Sequence, residues 1–409
     1  MKLRVLAMVP AGGEGSRLSP LTAERSKPAV PFGGRYRIVD FVLSNLLNSG
    51  IHSIYLIVQY KSQSLIEHIH HAWVLSPIIP DQFVRVVPPQ MREGPEWYQG
   101  TADAVHQNLN LINYHMPDLV LVFGADHIYR MDVQQMVSWH FERKADVTVA
   151  ALPVPVAQAS SFGVLETTDD GRILAFHEKP EQPKPMPSDP TRAFASMGNY
   201  VFNANLLMHE LQQAKERGDT DFGHHILPRL TQNCRLFAYD FSTNRVPGLR
   251  DYEEQHYWRD VGNIEAYFEA HHDILGLEPK FNLFNPRWPI YSSGYQGPVA
   301  KVVDGTIKNS ILGSGTLIKG ATVRNSVVRR EVVLEEDVEI EDCIIMDYTV
   351  IRQGARLRRV IVDRYNHIQP GDRIGFGRAA DESRFHVSPT GIVVVPKAPY
   401  SPEISRYHG

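Results

Sequence analysis

Cysteine is scarce in this chain: two in 409 residues, Cys234 and Cys343, with no metal-type spacing between them. That excludes a disulfide-stapled scaffold and a zinc module, and it fits a reducing compartment. No apolar run approaches the ~20 residues that a membrane helix needs. Neither sign of charge dominates, with 42 Lys and Arg against 46 Asp and Glu for a net −4. Nucleic acid therefore has no whole-chain electrostatic attraction to this protein, and no membrane partner is expected. Met1-Lys2-Leu3-Arg4 ahead of Val5 has the outline of a short leader. The small residues that follow run on into a charged glycine turn instead of a cleavage site, so the expected location is cytoplasmic.

The familiar phosphate loops are also missing. No Gly-Lys-Ser/Thr closes the first glycine turn, and Leu18 stands where a dinucleotide fingerprint has its third glycine. A P-loop hydrolase and a dinucleotide-dependent dehydrogenase are thereby set aside. What is present is Ala11-Gly12-Gly13-Glu14-Gly15-Ser16-Arg17-Leu18, directly after the apolar run Leu3–Val9. Three glycines within four residues clear side chains from the backbone, and successive N–H groups there can converge on phosphate oxygens. Arg17 adds a fork of donors, and Lys27 follows ten residues later as a second cation. Strand, glycine turn and two cations together suggest a triphosphate cradle, although a strand-ending glycine turn is often only a turn.

Residues 1–275 alternate strand-like and helix-like runs. Apolar residues at 38, 41, 42 and 46 predict a helix closed by Gly50, and Leu119–Phe123 reads as a strand covered on both faces. Alternation of this kind predicts an α/β fold with a doubly wound, mostly parallel, Rossmann-like sheet, whose ligands lie beyond the carboxyl ends of the strands. A stretch over 276–300 carries Pro279, Pro286, Pro289 and Pro298 without periodicity and reads as a packed connector. Beyond it, in 301–409, aliphatic residues recur every five or six positions from Ile307 through Leu312, Ile318 and Val323 to Ile374. The pattern closes about every 16 or 17 residues. It predicts a left-handed β-helix of hexapeptide type, one inward aliphatic residue per side of each coil, with an irregular β-rich domain as the alternative. A stack so short leaves an open end or face suited to subunit contact.

Asp126, in Phe123-Gly124-Ala125-Asp126-His127, stands just past a buried strand, where a carboxylate can hold a cation against phosphates or simply cap a turn. Asp260, in Tyr257-Trp258-Arg259-Asp260, is the second hard-oxygen candidate. Glu178-Lys179-Pro180 places a carboxylate for hydroxyl groups beside a cation for a monoester phosphate, or else a surface ion pair. Trp97-Tyr98-Gln99-Gly100-Thr101-Ala102 opens a helix with small residues after two aromatics, which admits a flat base or merely packs a hinge. His68, His70 and His71 read as a solvated helix face.

Taken together these stretches resemble the sugar-1-phosphate nucleotidylyltransferases, and within them the branch that forms ADP-glucose. The likeness also rests on Phe32-Gly33-Gly34-Arg35-Tyr36-Arg37-Ile38-Val39-Asp40, Phe162-Gly163-Val164, Ala195-Ser196-Met197-Gly198-Asn199-Tyr200 and Asp221-Phe222-Gly223. It covers nearly the whole chain. The resemblance implies that Arg17 and Lys27, with Gly12, Gly13, Gly15, Tyr98, Gly100 and Thr101, receive ATP. It implies that Gly163, Glu178, Lys179, Ser196 and Asp221 receive glucose 1-phosphate, and that Asp126 and Asp260 hold Mg²⁺. The implied products are ADP-glucose, for glycogen synthesis, and diphosphate. It further implies a homotetramer and an anionic allosteric effector.

Arg37, Arg364 and Lys397 match effector positions of that branch, and six arginines between Arg352 and Arg373 suggest an anion pocket between the domains or a solvated face. Relatives with a sugar-phosphate activator carry Lys where this chain has Glu24 and His where it has Pro31, which counts against fructose 1,6-bisphosphate. Three other readings remain: a sister enzyme using UTP, dTTP or GTP, a catalytically silent regulatory subunit, and an acyltransferase. The last lacks a catalytic His among the repeats apart from His367.

Overall fold

Residues 3–76, 78–90 and 96–400 are described by a computed structural model of the chain. Met1 and Lys2 of the leader-like start and 401–409 of the last segment lie outside the described residues.

Among the described residues nine strands form the main sheet: β1 (Val5–Pro10), β2 (Ser53–Ile57), β3 (Phe83–Val87), β4 (Leu119–Phe123), β5 (Val147–Pro155), β6 (Gly163–Thr167), β7 (Ile173–Glu178), β8 (Arg192–Asn203) and β9 (Leu236–Asp240). Their order is β7-β6-β8-β4-β1-β2-β3, with β5 paired to β8 and β9 to β5. β4, β1, β2 and β3 run parallel, as does β9 beside β5. The antiparallel ladders gather on β8 and on the β6–β7 hairpin. Side-chain alternation divides the parallel strands between two apolar layers: Leu6, Met8, Tyr55, Ile57, Val120 and Val122 on one face, Ala7, Val9, Ile54, Leu56, Leu119 and Leu121 on the other. Both faces are covered, which is why these strands read as unbroken apolar runs. Because the chain leaves β1 toward β2 and later returns to β4 on its other side, the carboxyl end of β1 is the switch point where a crevice opens.

The anticipated helix appears as α1 (Val39–Asn48), and Gly50 follows it at φ 73°. α2 (Gln63–Ala72) corrects one expectation. His70 and His71 are exposed, but His68 is buried with Nε2 2.6 Å from Asp40 Oδ1. Asp40 is fully buried and also accepts from Trp73 Nε1, Ser292 Oγ and the Arg37 N–H. Burial pushes its carboxyl up, but His68 and the other donors outweigh it and hold it low. The 276–300 connector packs on α1: Trp288 Nε1 donates to Asn45, and the Tyr291 N–H donates to Ser44.

In the C-terminal part, short parallel strands stack as the aliphatic period requires. Ile318 lies over Leu334, Ile351 and Ile368; Val323 over Ile340, Leu357 and Ile374; Leu312 over Val328, Ile345 and Val362. These three ladders fill the interior of a parallel β-helix. The same 17-residue stacking explains three of the six arginines and, for those three, favours the solvated face over an anion pocket. Arg352, Arg356 and Arg358 stand one coil after Glu335, Glu339 and Glu341 and pair with them at 3.0, 3.3 and 3.7 Å. Arg359 and Arg373 lie over Phe268 and Phe376. Of the six, Arg359, through Phe268, and Arg364, which stands 3.6 Å from the buried Asp347, reach the junction.

That junction is an apolar layer shared by Phe32, Ile38 and Phe41 with Val327, Ile344 and Ile361. Two buried cations cross it. Arg25 bonds Asp363, and Arg329 donates through Nη1 to the carbonyls of Phe32, Gly33 and Tyr36 at 2.9, 2.6 and 3.0 Å. Arg329 Nε holds Asp347 at 3.0 Å.

Candidate active site

Beyond Pro10 the chain leaves the sheet, and the Ala11 N–H donates to the Ile57 carbonyl at 2.8 Å, tying the turn to β2. Gly12 and Gly13 then border a cavity of about 890 Å³, within the range of small-molecule sites. Gly15 adopts φ 64°, and a Cβ there would stand 2.9 Å from the Lys27 Cβ, so the residue is fixed by conformation and by space. A short helical turn at Ser16–Leu18 leaves Arg17 exposed on the cavity wall.

Asp126 and Asp260, 134 positions apart in the sequence, are brought together by a two-stranded ribbon. His127–Tyr129 pairs with Trp258–Asp260, and Asp260 faces His127. The Lys27 ammonium sits between the two carboxylates, 2.9 Å from Asp126 Oδ2 and 2.7 Å from Asp260 Oδ1, with its side chain only 8% exposed. Burial works against its charge, but the two carboxylates more than restore it, so its proton is held more tightly than usual. For Asp126, burial pushes upward while His127 and Lys27 pull harder downward, and the carboxyl lies well below the usual range. Asp126 therefore stays ionised wherever the protein is folded near neutral pH.

The same cluster fits a divalent cation. Asp126, His127 and Asp260 each bring one donor atom within 4.8 Å of the others. His127 Nδ1 is buried without a hydrogen-bond partner among the described residues. Two carboxylate donors suit a hard cation such as a divalent metal bound to phosphates.

Tyr98 is buried beside the cavity, and its backbone is clamped by Gln59, which accepts from the Tyr98 N–H at 2.6 Å and donates to its carbonyl at 3.2 Å. Gln59 belongs to no motif in the sequence, though its place just past β2 at the switch point is a usable signal. α3 (Thr101–His106) starts against the Thr220 carbonyl, which accepts from the Ala102 and Asp103 N–H groups. A Cβ on Gly100 would meet that oxygen at 2.4 Å. Gly100→Ala should therefore displace the start of α3 and cost about 1–3 kcal/mol. A thermal melt, with a nucleotide titration of the same variant, reads both consequences. Thr101 Oγ1 donates to Asp221 Oδ2 at 2.9 Å, and Asp221 Oδ1 caps the turn at Gly223 and His224.

Glu178 ends β7 and lines the cavity, with Gly163 and Gly223 leaving room for its carboxylate: a Cβ on either would stand 2.9 or 2.7 Å from Oε2. Lys179 is 62% exposed at the rim, its ammonium 3.4 Å from Glu178. Ser196 Oγ accepts from the Gly198 N–H at 3.3 Å, where the β5–β8 pairing shifts register. Gly12, Gly13, Gly15, Arg17, Lys27, Tyr98, Gly100, Thr101, Asp126, Glu178 and Asp221 all border one cavity. Gly163, Lys179, Ser196 and Asp260 stand next to that wall or at its edge. Arg37, Arg364 and Lys397 are elsewhere, at the junction with the β-helix. There Lys397 Nζ is bonded to Glu24 at 2.5 Å, and burial lowers the Arg37 guanidinium to about 9, helped by the neighbouring Arg364 charge.

Residues 6–276 match the nucleotidyl transferase family, and residues 298–395 match the GlmU-like C-terminal hexapeptide family. The chain is 56% identical to the glucose-1-phosphate adenylyltransferase of Thermodesulfovibrio yellowstonii, over 97% of this chain and 96% of that one. It is 47% identical to the enzyme of that name from an Anaeromyxobacter species (97% and 98% covered) and 46% identical to that of Thermus thermophilus (97% and 99%).

Proposed function

This chain belongs to the nucleotidyl transferase family, alongside members named glucose-1-phosphate adenylyltransferase, and on that premise we propose that it converts ATP and α-D-glucose 1-phosphate to ADP-glucose and diphosphate. The observation that carries the reading is the Lys27 ammonium held between Asp126 and Asp260 on the wall of a cavity that a glycine turn opens. In the reaction a phosphate oxygen of glucose 1-phosphate forms a bond to the α-phosphorus of ATP. The bond to the bridging oxygen of the β-phosphate breaks, and diphosphate leaves with that electron pair. No proton has to move, since the attacking phosphate is already ionised at neutral pH, so the site needs no general base.

The obstacle is mutual repulsion of two polyanions, and the side chains answer it by position and charge. Arg17 and Lys27 receive the triphosphate, with the Gly12–Gly15 backbone beside them. Lys179 meets the sugar phosphate, Glu178 and Asp221 serve its hydroxyl groups, and Gly163 and Ser196 shape that wall. Tyr98, Gly100 and Thr101 border the base. Asp126 and Asp260, with His127 beside them, would hold Mg²⁺, which when bound supplies neutralising charge to the phosphates. Initial rates of purified protein with ATP, UTP, dTTP and GTP and glucose 1-phosphate test the reading. ATP should be preferred, with ADP-glucose as product; preference for another nucleotide, or no turnover at all, would overturn it.

The product supplies glucosyl units for glycogen synthesis, in the cytoplasm. We assign 1–275 to catalysis, 276–300 to the connector, and 301–409 to regulation and assembly into a homotetramer. An anionic effector would bind at Arg37, Arg364 and Lys397. Because Glu24 already engages Lys397, an incoming anion must displace that carboxylate. Glu24→Gln is therefore expected to lower the concentration of phosphate, AMP or sugar phosphate giving half-maximal effect by about three- to tenfold. Rate titrations of wild type and variant read this directly.

A further inference from the structure

Lys27 stands where two roles exclude each other. Its ammonium is held between Asp126 Oδ2 and Asp260 Oδ1, at 2.9 and 2.7 Å, and so takes one oxygen from each aspartate. The other oxygen of Asp126, Oδ1, lies 3.4 Å from His127 Nδ1. The two aspartates are the carboxylates proposed above to hold Mg²⁺, while Lys27 is itself proposed to meet the triphosphate. A divalent ion bound to the same pair would stand against the ammonium with like charge at close range, in a site where burial weakens screening. The pair therefore suits one cation at a time.

Only the side chain of Lys27 has to move for the other cation to enter. Its backbone is tied down by the turn it opens, where the Ala29 N–H donates to the Ser26 carbonyl and the Val30 N–H to the Lys27 carbonyl, each at 3.0 Å. A flexible four-carbon stem carries the charge, and Lys27 borders the same cavity as Gly12, Gly13 and Arg17. Leaving the carboxylates has a cost, because a buried ammonium without an anion is strongly unfavourable. A phosphate group in the cavity is an anion that can take their place.

We propose that Lys27 and a divalent cation are alternative occupants of the Asp126–Asp260 pair: Lys27 bars the metal alone and gives way as a phosphate group arrives to receive its ammonium. Metal and phosphate then favour each other's binding by the same factor, as linkage requires. This exchange rests on the metal assigned to Asp126 and Asp260 in the proposed function, whichever nucleotide is used.

Mn²⁺ alone, added to the full chain and followed by the electron paramagnetic resonance of the free ion, reads the exchange without any turnover. Lys27→Met keeps most of the stem and removes the charge, and it should bind Mn²⁺ at least about tenfold more tightly than wild type. Lys27→Gln should shift the affinity in the same direction, and thermal melts check that both variants are folded. Adding Asp126→Asn to Lys27→Met should abolish the gain, which places the bound ion on this pair. Arg17→Met removes a cation from the same wall without freeing either carboxylate, and should move the affinity by less than about threefold. Equal Mn²⁺ affinity in wild type and Lys27→Met, or an equal gain from Arg17→Met, would overturn the exchange. Wild-type rates with ATP and glucose 1-phosphate test the reaction separately, so failure of the exchange leaves the proposed reaction standing.

Discussion

Asp126→Asn is expected to lower kcat by about 10²–10³-fold, the usual cost of removing one preorganised electrostatic contact, while the protein melts cooperatively near the wild-type temperature. Asparagine keeps the size of the side chain and can still accept from Lys27, whose second partner, Asp260, remains 2.7 Å away. What is lost is one negative charge of the pair that would hold the cation. The Lys27 ammonium would then be drawn toward Asp260 alone and away from the phosphates. Asp260→Asn should act in the same direction, and the double variant should lose less than the product of the two effects, because both carboxylates serve one centre. Steady-state rates across a Mg²⁺ titration separate weakened cation binding from lost turnover. Near-normal kcat in Asp126→Asn would remove Asp126 from the mechanism.

The largest loss of stability is expected from Arg329→Ala, about 3–5 kcal/mol. Arg329 is 3% exposed, and its removal strands the carbonyls of Phe32, Gly33 and Tyr36 and leaves the fully enclosed Asp347 without its nearest cation. Arg329→Lys should recover only part of the loss, since an ammonium cannot reproduce the fork that spans carbonyls and carboxylate. A pH dependence accompanies this. Burial pushes the Asp347 carboxyl up, but Arg329, Arg364 and Arg330 outweigh it and bring it down to about 2. The folded value lies below the ~3.9 of an unfolded chain, so the contribution is complete above pH ~4 and dissipates as pH falls toward 2. Thermal melts between pH 5 and 2.5 should show a steeper decline for wild type than for Asp347→Asn. Parallel declines would contradict the coupling.

The elements legible in the sequence were those fixed by local rules. The β-helix announced itself because each inward residue must stack on its counterpart one coil away, so Val323, Ile340, Leu357 and Ile374 keep their period. The parallel strands were visible as apolar runs, and the glycine turn and Asp126 stood where such sheets bind ligands. Charged residues carried no such signal. Arg25 and Arg329 look like surface residues until the two halves of the chain close over them. His68 reads as solvated because its partner Asp40 is 28 positions away. Arg356 and Arg358 suggested an anion pocket because the glutamates that face them come from the preceding coil.

In the proposed reaction, fixed cations and a carboxylate-held magnesium gather both phosphorylated reactants in one cavity. A crystal structure with ADP-glucose, diphosphate and Mg²⁺ bound tests it most directly. Arg17 and Lys27 should lie on the diphosphate, Asp126 and Asp260 on the metal, and Glu178 and Lys179 on the glucosyl phosphate, all around a single reaction centre. Ligands found with Arg17, Asp126 and Lys179 in separate sites, too far apart to meet at one phosphorus, would contradict it.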